Sequence, residues 1–185
     1  EAWLEDKLLE ENTSSAYGFC YSIGDHNFYV LQLNALGETW VYDAMDGGWH
    51  QRTSRDPISN IESQWRAGGI AYFTEKFFAF TNDGLLCSFD SSYWKEDYPD
   101  GHSLPMIRHR QTAVITDGLK PFTFEELAIE CNVGTNPNYM DKCYALLEVS
   151  KDGGNTFGNA QTASLGRTGE YGHRVRWFNL GYNRL

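Results

Sequence analysis

The sequence contains no CxxC pair, no HExxH, no GxSxG and no GxxxxGK. It therefore lacks the common spacings of a zinc site, a metalloprotease, an α/β-hydrolase nucleophile and a phosphate-cradling loop. No apolar run approaches the ~20 residues of a membrane-spanning helix, and no secretory leader is visible. Proline is scarce, at 5 residues. Cysteine is limited to Cys20, Cys87, Cys131 and Cys143. Their scatter reads as small core thiols in the reduced state, with a Cys131–Cys143 bridge across a loop as the alternative. Positive charge is also short. Lys and Arg total 15 against 25 Asp and Glu, for a net charge of −10, and no two basic residues are adjacent. That balance argues against a general binder of phosphate backbones. It is compatible with a surface that DNA slides past, because like charges repel.

Aromatic residues, by contrast, are abundant, at 15% of the chain, with 6 Trp, 11 Tyr and 11 Phe, and there are 18 Gly for turns. Such a chain favours many short strands around a large core. Residues 1–13 are the best helix candidate, with Trp3, Leu4, Leu8 and Leu9 on one face. From Ser15 onward the pattern is strand and tight turn. Strands are expected over 16–23, over 28–33 (Phe28, Val30 and Gln32 facing one side) and over 39–43, with a fourth from Trp49. Four such strands in about 40 residues equal one propeller blade. The rhythm recurs over 70–73, 77–81 and 85–90, the last two joined by the Asn82-Asp83-Gly84 hairpin turn. Residues 91–106 read as an irregular loop and 107–115 as a strand. Residues 122–131 read as a long strand bulged near Glu125-Glu126, or as a short helix. A polar loop over 132–141 follows, then strands over 143–149, 160–164 and 173–180. In the last of these, Val175 and Trp177 alternate with Arg174 and Arg176.

One stretch has a defined spacing: Ser150-Lys151-Asp152-Gly153-Gly154-Asn155-Thr156-Phe157. Asp152 can accept backbone N–H groups as in an Asx-turn. Gly153 and Gly154 suit positive φ, Thr156 can close the turn, and Phe157 can fold onto the apolar body. The pattern resembles the Asp-box, a structural hairpin staple found mostly in β-propellers. The site residues expected from it are Ser150, Asp152, Gly154, Thr156 and Phe157, in a structural role.

Longer strings carry a second resemblance. They are Gly24-Asp25-His26-Asn27-Phe28-Tyr29-Val30-Leu31, Thr39-Trp40-Val41-Tyr42-Asp43 and Gly48-Trp49-His50-Gln51-Arg52. Later come Leu146-Leu147-Glu148-Val149 with the turn above, Leu165-Gly166-Arg167-Thr168-Gly169-Glu170-Tyr171, Arg174-Val175-Arg176-Trp177 and Leu180-Gly181. Over about residues 17–181 the chain resembles the packaged-DNA stabilisation proteins, the tail hub or nozzle proteins of short-tailed phages. The resemblance implies an all-β fold of propeller-type blades, with residues 1–14 a helical or frayed segment and 15–185 about four blades. Since closed propellers have about four to eight blades, typically more than this chain supplies, and the first residue is Glu rather than Met, the chain reads as a fragment with further blades before Glu1. The implied role is to close or extend the DNA channel below the portal and retain packaged DNA. The implied partners are copies of itself in a ring, a hexamer, together with a portal or adaptor protein, other tail proteins and DNA passing through unread. No membrane is implied. The implied location is the virion tail, after assembly in the host cytoplasm.

Catalysis is weighed against this. His26, His50, His102, His109 and His173 show no ligand spacing. His109, between Arg108 and Arg110, has no carboxylate partner nearby in sequence for general-base work. A sialidase-like glycosidase would draw on Arg108, Arg110, Arg174 and Arg176 and on Glu125, Glu126 and Glu170. The arginines, however, are i, i+2 pairs on strand faces, as in an exposed face or an intersubunit seam. Trp49, Tyr93 and Trp94 would stack sugars in a carbohydrate-binding propeller. The expectation is a structural protein, with no enzyme activity, cofactor or metal. The carbohydrate-binding or glycosidase fragment is the alternative.

Overall fold

A computed structural model describes residues 2–10, 12–90, 92–117, 120–134 and 143–183. Apart from one short helix, the described elements are β-strands. The chain divides into two compact units, residues 1–108 and 109–185.

The first unit begins with α1 (Ala2–Glu10). Leu4 is buried, but Leu9 is almost fully exposed, contrary to the one-face expectation. The reason is helical geometry: Leu4 and Leu8 are four residues apart and share a stripe, and the next position turns away from it. The helix is tethered by Lys7 Nζ to Glu38 Oε1 at 2.5 Å, while Trp40 Nε1 donates to Glu38 Oε2 at 3.0 Å. Burial raises the Glu38 carboxyl, but these hydrogen bonds outweigh it and hold the group below the ordinary carboxylate range. No helix among the described residues is long and apolar enough to cross a membrane.

Four strands then form one antiparallel sheet in chain order: β1 (Ala16–Ile23), β2 (His26–Leu33), β3 (Glu38–Asp43) and β4 (Gly48–Gln51). The period-2 pattern sets its register. Val30 pairs with Val41 and Gln32 with Thr39, all four fully buried on one face. A small hairpin follows, β5 (Thr53–Arg55) with β6 (Glu62–Gln64). Next comes a three-stranded meander, β7 (Ala67–Phe73), β8 (Lys76–Thr81) and β9 (Leu86–Phe89). Tyr21, Val30 and Val41 of the first sheet pack with Trp65, Ile70 of β7 and Phe89 of β9. The two meanders therefore share one core. At about 25 cal/mol per Å², each buried Val contributes about 1.5–3 kcal/mol to that contact.

Polar groups lock the same contact. Gln32 Nε2 donates to Ala67 O at 2.6 Å and to Trp65 O at 3.2 Å. Arg52 lies over the rings of Tyr21, Phe28 and Trp65 at 5.1–5.7 Å and donates to the Tyr21 hydroxyl. Gly69 sits where β7 bulges against β8. A Cβ there would lie 2.3 Å from the Phe80 ring, so any other residue would have to displace that ring. Residues 91–106, expected to be irregular, contain a further hairpin, β10 (Lys95–Asp97) with β11 (Ser103–Pro105). Arg66 ties this hairpin in, donating to Asp83 Oδ2 at 2.6 Å and Asp97 O at 2.9 Å while lying over the Tyr98 ring at 4.2 Å. The expected strand over 107–115 does not form; these residues have no regular structure and are exposed.

The second unit pairs β12 (Phe122–Ile129) with β15 (Val175–Asn183), and β13 (Tyr144–Leu147) with β14 (Gln161–Ser164). β12 thus skips its sequence neighbours, which is not the order of an up-and-down blade. Val175, Trp177 and Leu127 from one pair share a core with Ala145, Leu147 and Ala163 from the other. Two sheets facing one apolar layer is the arrangement of a small sandwich. Trp177 Nε1 bridges the layers by donating to Gln161 O at 3.0 Å. The bulge lies where expected, between Phe124 and Glu126, but its extra residue is on β15. Asn179 there adopts φ 57°. The expected polar loop over 132–141 falls largely outside the described residues. Cys20, Cys87, Cys131 and Cys143 form no disulfide. No closed ring of blades is present among the described residues.

Candidate functional site

The stretch 150–157 lies between β13 and β14, with Gly158 N donating to Val149 O at 3.0 Å across its base. Ser150 Oγ donates to Asp152 Oδ1 at 2.7 Å, and the Thr156 amide donates to the same oxygen at 2.8 Å. The Thr156 hydroxyl donates to Asp152 Oδ2 at 2.5 Å. Gly154 N donates to Ser150 Oγ at 2.8 Å. Gly153 and Gly154 have φ of 72° and 94°, which only glycine adopts readily. The Thr156 hydroxyl and amide, then Ser150, hold the Asp152 carboxyl down to about 2. Phe157 is half exposed. With Asp152 so engaged inside its own turn, the geometry is that of a closed loop, not of a carboxylate presented to a substrate.

A second group was not legible in the sequence. His26 starts β2 and Asp43 ends β3, and the register that pairs Phe28 with Asp43 brings them together. His26 Nδ1 lies 2.7 Å from Asp43 Oδ2, Met45 N donates to Asp43 Oδ1 at 2.9 Å, and a ligand atom of Asp46 joins His26 and Asp43 within 4.8 Å. Burial raises the Asp43 carboxyl, but the Met45 amide and His26 outweigh it and hold it low. Nothing in sequence spacing reveals such a trio, because strand register makes it. Its hydrogen bonds lock the β3–β4 turn to the β1–β2 turn.

The other sequence candidates are dispersed. Arg108, His109 and Arg110 are exposed in the unstructured stretch. Arg176 Nη1 is engaged by Glu126 Oε1 at 3.0 Å. Glu170 Oε2 accepts from the Arg167 amide at 2.7 Å, and His173 Nε2 contacts Ser164 O at 2.9 Å. Arg174 and Arg176 line a shallow cavity of about 230 Å³ with Glu130, Cys131 and His173. The arginines are not brought to a shared carboxylate pair. Trp49 is half buried and packs on Tyr42 and Tyr29, with ring centroids at 5.3 and 6.1 Å. Trp94 carries Lys95 Nζ 4.1 Å from its ring, and Tyr93 is exposed.

Uncovered apolar surface is the more conspicuous property. In the first unit Tyr72, Phe73, Phe80 and Leu86 are half or more exposed, and in the second unit so are Val114, Ile115, Leu146 and Phe178. Side chains of this kind mark association surfaces when they cluster.

Residues 107–185 match the family described as bacteriophage P22 Gp10, beta-sandwich. No curated protein matches the chain. The matched span coincides with the second unit and the two residues before it. It is the region in which two strand pairs share one core, so the likeness and the layered arrangement agree. The likeness supports a structural protein of a phage.

Proposed function

We propose that this chain is a structural component of a phage tail that extends or closes the DNA channel below the portal and retains packaged DNA. The observation that carries this reading is the likeness of residues 107–185 to the bacteriophage Gp10 β-sandwich. The first unit adds support: its two consecutive meanders share a core as successive blades of a propeller do. On this reading residues 15–108 belong to a larger propeller-type body and the second unit is its sandwich appendage. Copies of the chain form a ring, a hexamer, which contacts a portal or adaptor protein and other tail proteins. The exposed Tyr72, Phe73, Phe80 and Leu86 are the kind of surface such neighbours cover. The turn at 150–157 is a staple of the Asp-box kind.

The work is mechanical, without catalysis or cofactor. Blades stapled by short turns make a stiff body, and the surplus of 25 acidic over 15 basic residues keeps passing DNA from adhering. The protein acts in the virion tail after assembly in the host cytoplasm. The first test is light scattering of the full-length protein with and without its portal-side partner. A defined ring, or assembly that depends on the partner, is the expected result. A monomer under both conditions that is retained on a glycan array would replace the tail reading with a carbohydrate-binding one.

A further inference from the structure

The first sheet gathers two carboxylates and an imidazole at one of its ends. One ligand atom from each of His26, Asp43 and Asp46 lies within 4.8 Å of the other two. His26 pairs with Asp43. Among the described residues the Asp46 carboxylate has no hydrogen bond or ion pair. Even with the imidazole protonated, the group is net negative. Carboxylates held this close repel each other. A bound cation removes that cost, because it becomes the largest charge in the site.

Two of the three side chains are already aimed. Asp43 is 7% exposed, and Met45 N holds its Oδ1 at 2.9 Å, which leaves Oδ2 toward His26. The His26 ring lies nearly parallel to the Phe28 ring, with 8° between planes and 5.7 Å between centroids. The backbone beneath is tied as well. Ala44 N donates to Asn27 O at 2.9 Å, and Gly47 N donates to Asp43 O at 2.8 Å. Supporting contacts that fix a ring plane and a carboxylate rotamer are how proteins orient metal ligands.

The dimensions suit a small divalent ion. His26 Nδ1 and Asp43 Oδ2 are 2.7 Å apart, and ligands about 2.1 Å from one ion stand about 3.0–3.4 Å from each other. A shift of a few tenths of an ångström is enough. The ion displaces the proton between those two atoms to solvent and leaves the imidazole as its Nε2–H tautomer. Asp46 is exposed and turns inward to close the third side. Water reaches the remaining position, since 43% of the His26 side chain is exposed. An imidazole with carboxylates is a donor set for zinc and its transition-metal neighbours, whereas calcium and magnesium take oxygen.

We propose that His26, Asp43 and Asp46 bind one divalent ion of the zinc class, which clasps the β1–β2 turn to the β3–β4 turn. The role is structural. No metal was expected from the sequence, because strand register and not spacing makes this group. The site stands apart from the tail reading, and neither needs the other.

The test is calorimetric titration of zinc chloride into the full chain, with the nitrogen-15 spectrum of the histidine rings recorded in parallel. The expected result is one ion per chain, a shift of the His26 ring, and a thermal midpoint that rises with zinc. Asp46→Asn removes a carboxylate that bonds nothing among the described residues. It should keep the zinc-free midpoint while lowering zinc affinity at least about 10-fold. Asp25→Asn removes the same charge next to His26 but outside the group, and should change the affinity far less. An equal loss in Asp25→Asn would mean diffuse attraction of cations and overturn the site. No binding would overturn it, and so would binding that leaves the His26 ring unshifted, as at the exposed thiols of Cys20 and Cys131. Calcium bound as tightly as zinc would remove the imidazole from the ligand set and overturn it too. Each of these outcomes leaves the tail reading standing.

Discussion

Gln32 offers the clearest single test of how the first unit is held together. It lies on β2 with 2% of its surface exposed, and its side-chain amide donates to Ala67 O at 2.6 Å and Trp65 O at 3.2 Å. These bonds join the first sheet to the chain that enters the second meander. Gln32→Met keeps the length and volume but removes both donors. Ala67 O, in a buried bond, would lose about 2 kcal/mol as an orphaned acceptor. The partly buried Trp65 O would lose about 1 kcal/mol. Better burial of the thioether returns about 1 kcal/mol. The net expectation is a loss of about 2 kcal/mol, or about 8 °C in the melting midpoint of a unit this size. Urea unfolding followed by tryptophan emission measures it directly, since Trp65 sits at the contact. A loss below about 0.5 kcal/mol, within the range of ordinary surface substitutions, would show that the two meanders are held by apolar packing alone.

Two further outcomes follow from local geometry. The β7–β8 turn runs through Thr74 and Glu75, both at positive φ (47° and 63°), a conformation that Asn-Gly adopts more easily. Thr74→Asn with Glu75→Gly should therefore raise stability by about 1 kcal/mol in urea unfolding, and a loss would argue against that turn geometry. Asp152 is held down to about 2. A carboxyl depressed in the folded state stabilises above its unfolded value, near 3.8, and that contribution disappears as pH falls through about 2. A carbon-detected NMR titration should find Asp152 still ionised at pH 3; titration near 4 would mean the Thr156 and Ser150 bonds do not persist in solution.

The first sheet was largely readable from residue order, because its alternation is long. Phe28, Val30 and Gln32 mark one face over eight residues, and the turns between strands carry Gly and Asp. The three-residue strands β5, β6, β10 and β11 were not readable, since three residues contain too little alternation to register. Leu9 is hard to place from sequence because a helix of nine residues leaves its stripe loosely defined. The His26–Asp43–Asp46 group depends on which residues face each other across β2 and β3, a fact of pairing that no spacing encodes. The second unit was harder for a different reason. Its strand pattern from 122 to 183 resembles consecutive blade strands, yet β12 pairs with β15 across the intervening β13 and β14. Composition does not change at residue 108, so nothing announced a boundary there. The stretch 107–115 has residues that suit a strand, yet among the described residues it joins no ladder.

The pairing of β12 with β15 also imposes an order in time. Ile129 faces Val175, so when β12 leaves the ribosome its partner is still some tens of residues from being made. At about 5–20 residues per second that interval lasts on the order of a few seconds. Throughout it both sides of β12 are bare, with Leu127 and Ile129 uncovered among nascent chains translated side by side. Glu125, Glu126 and Glu130 stand along the same stretch, and their mutual repulsion between neighbouring chains guards it until residues 175–183 arrive.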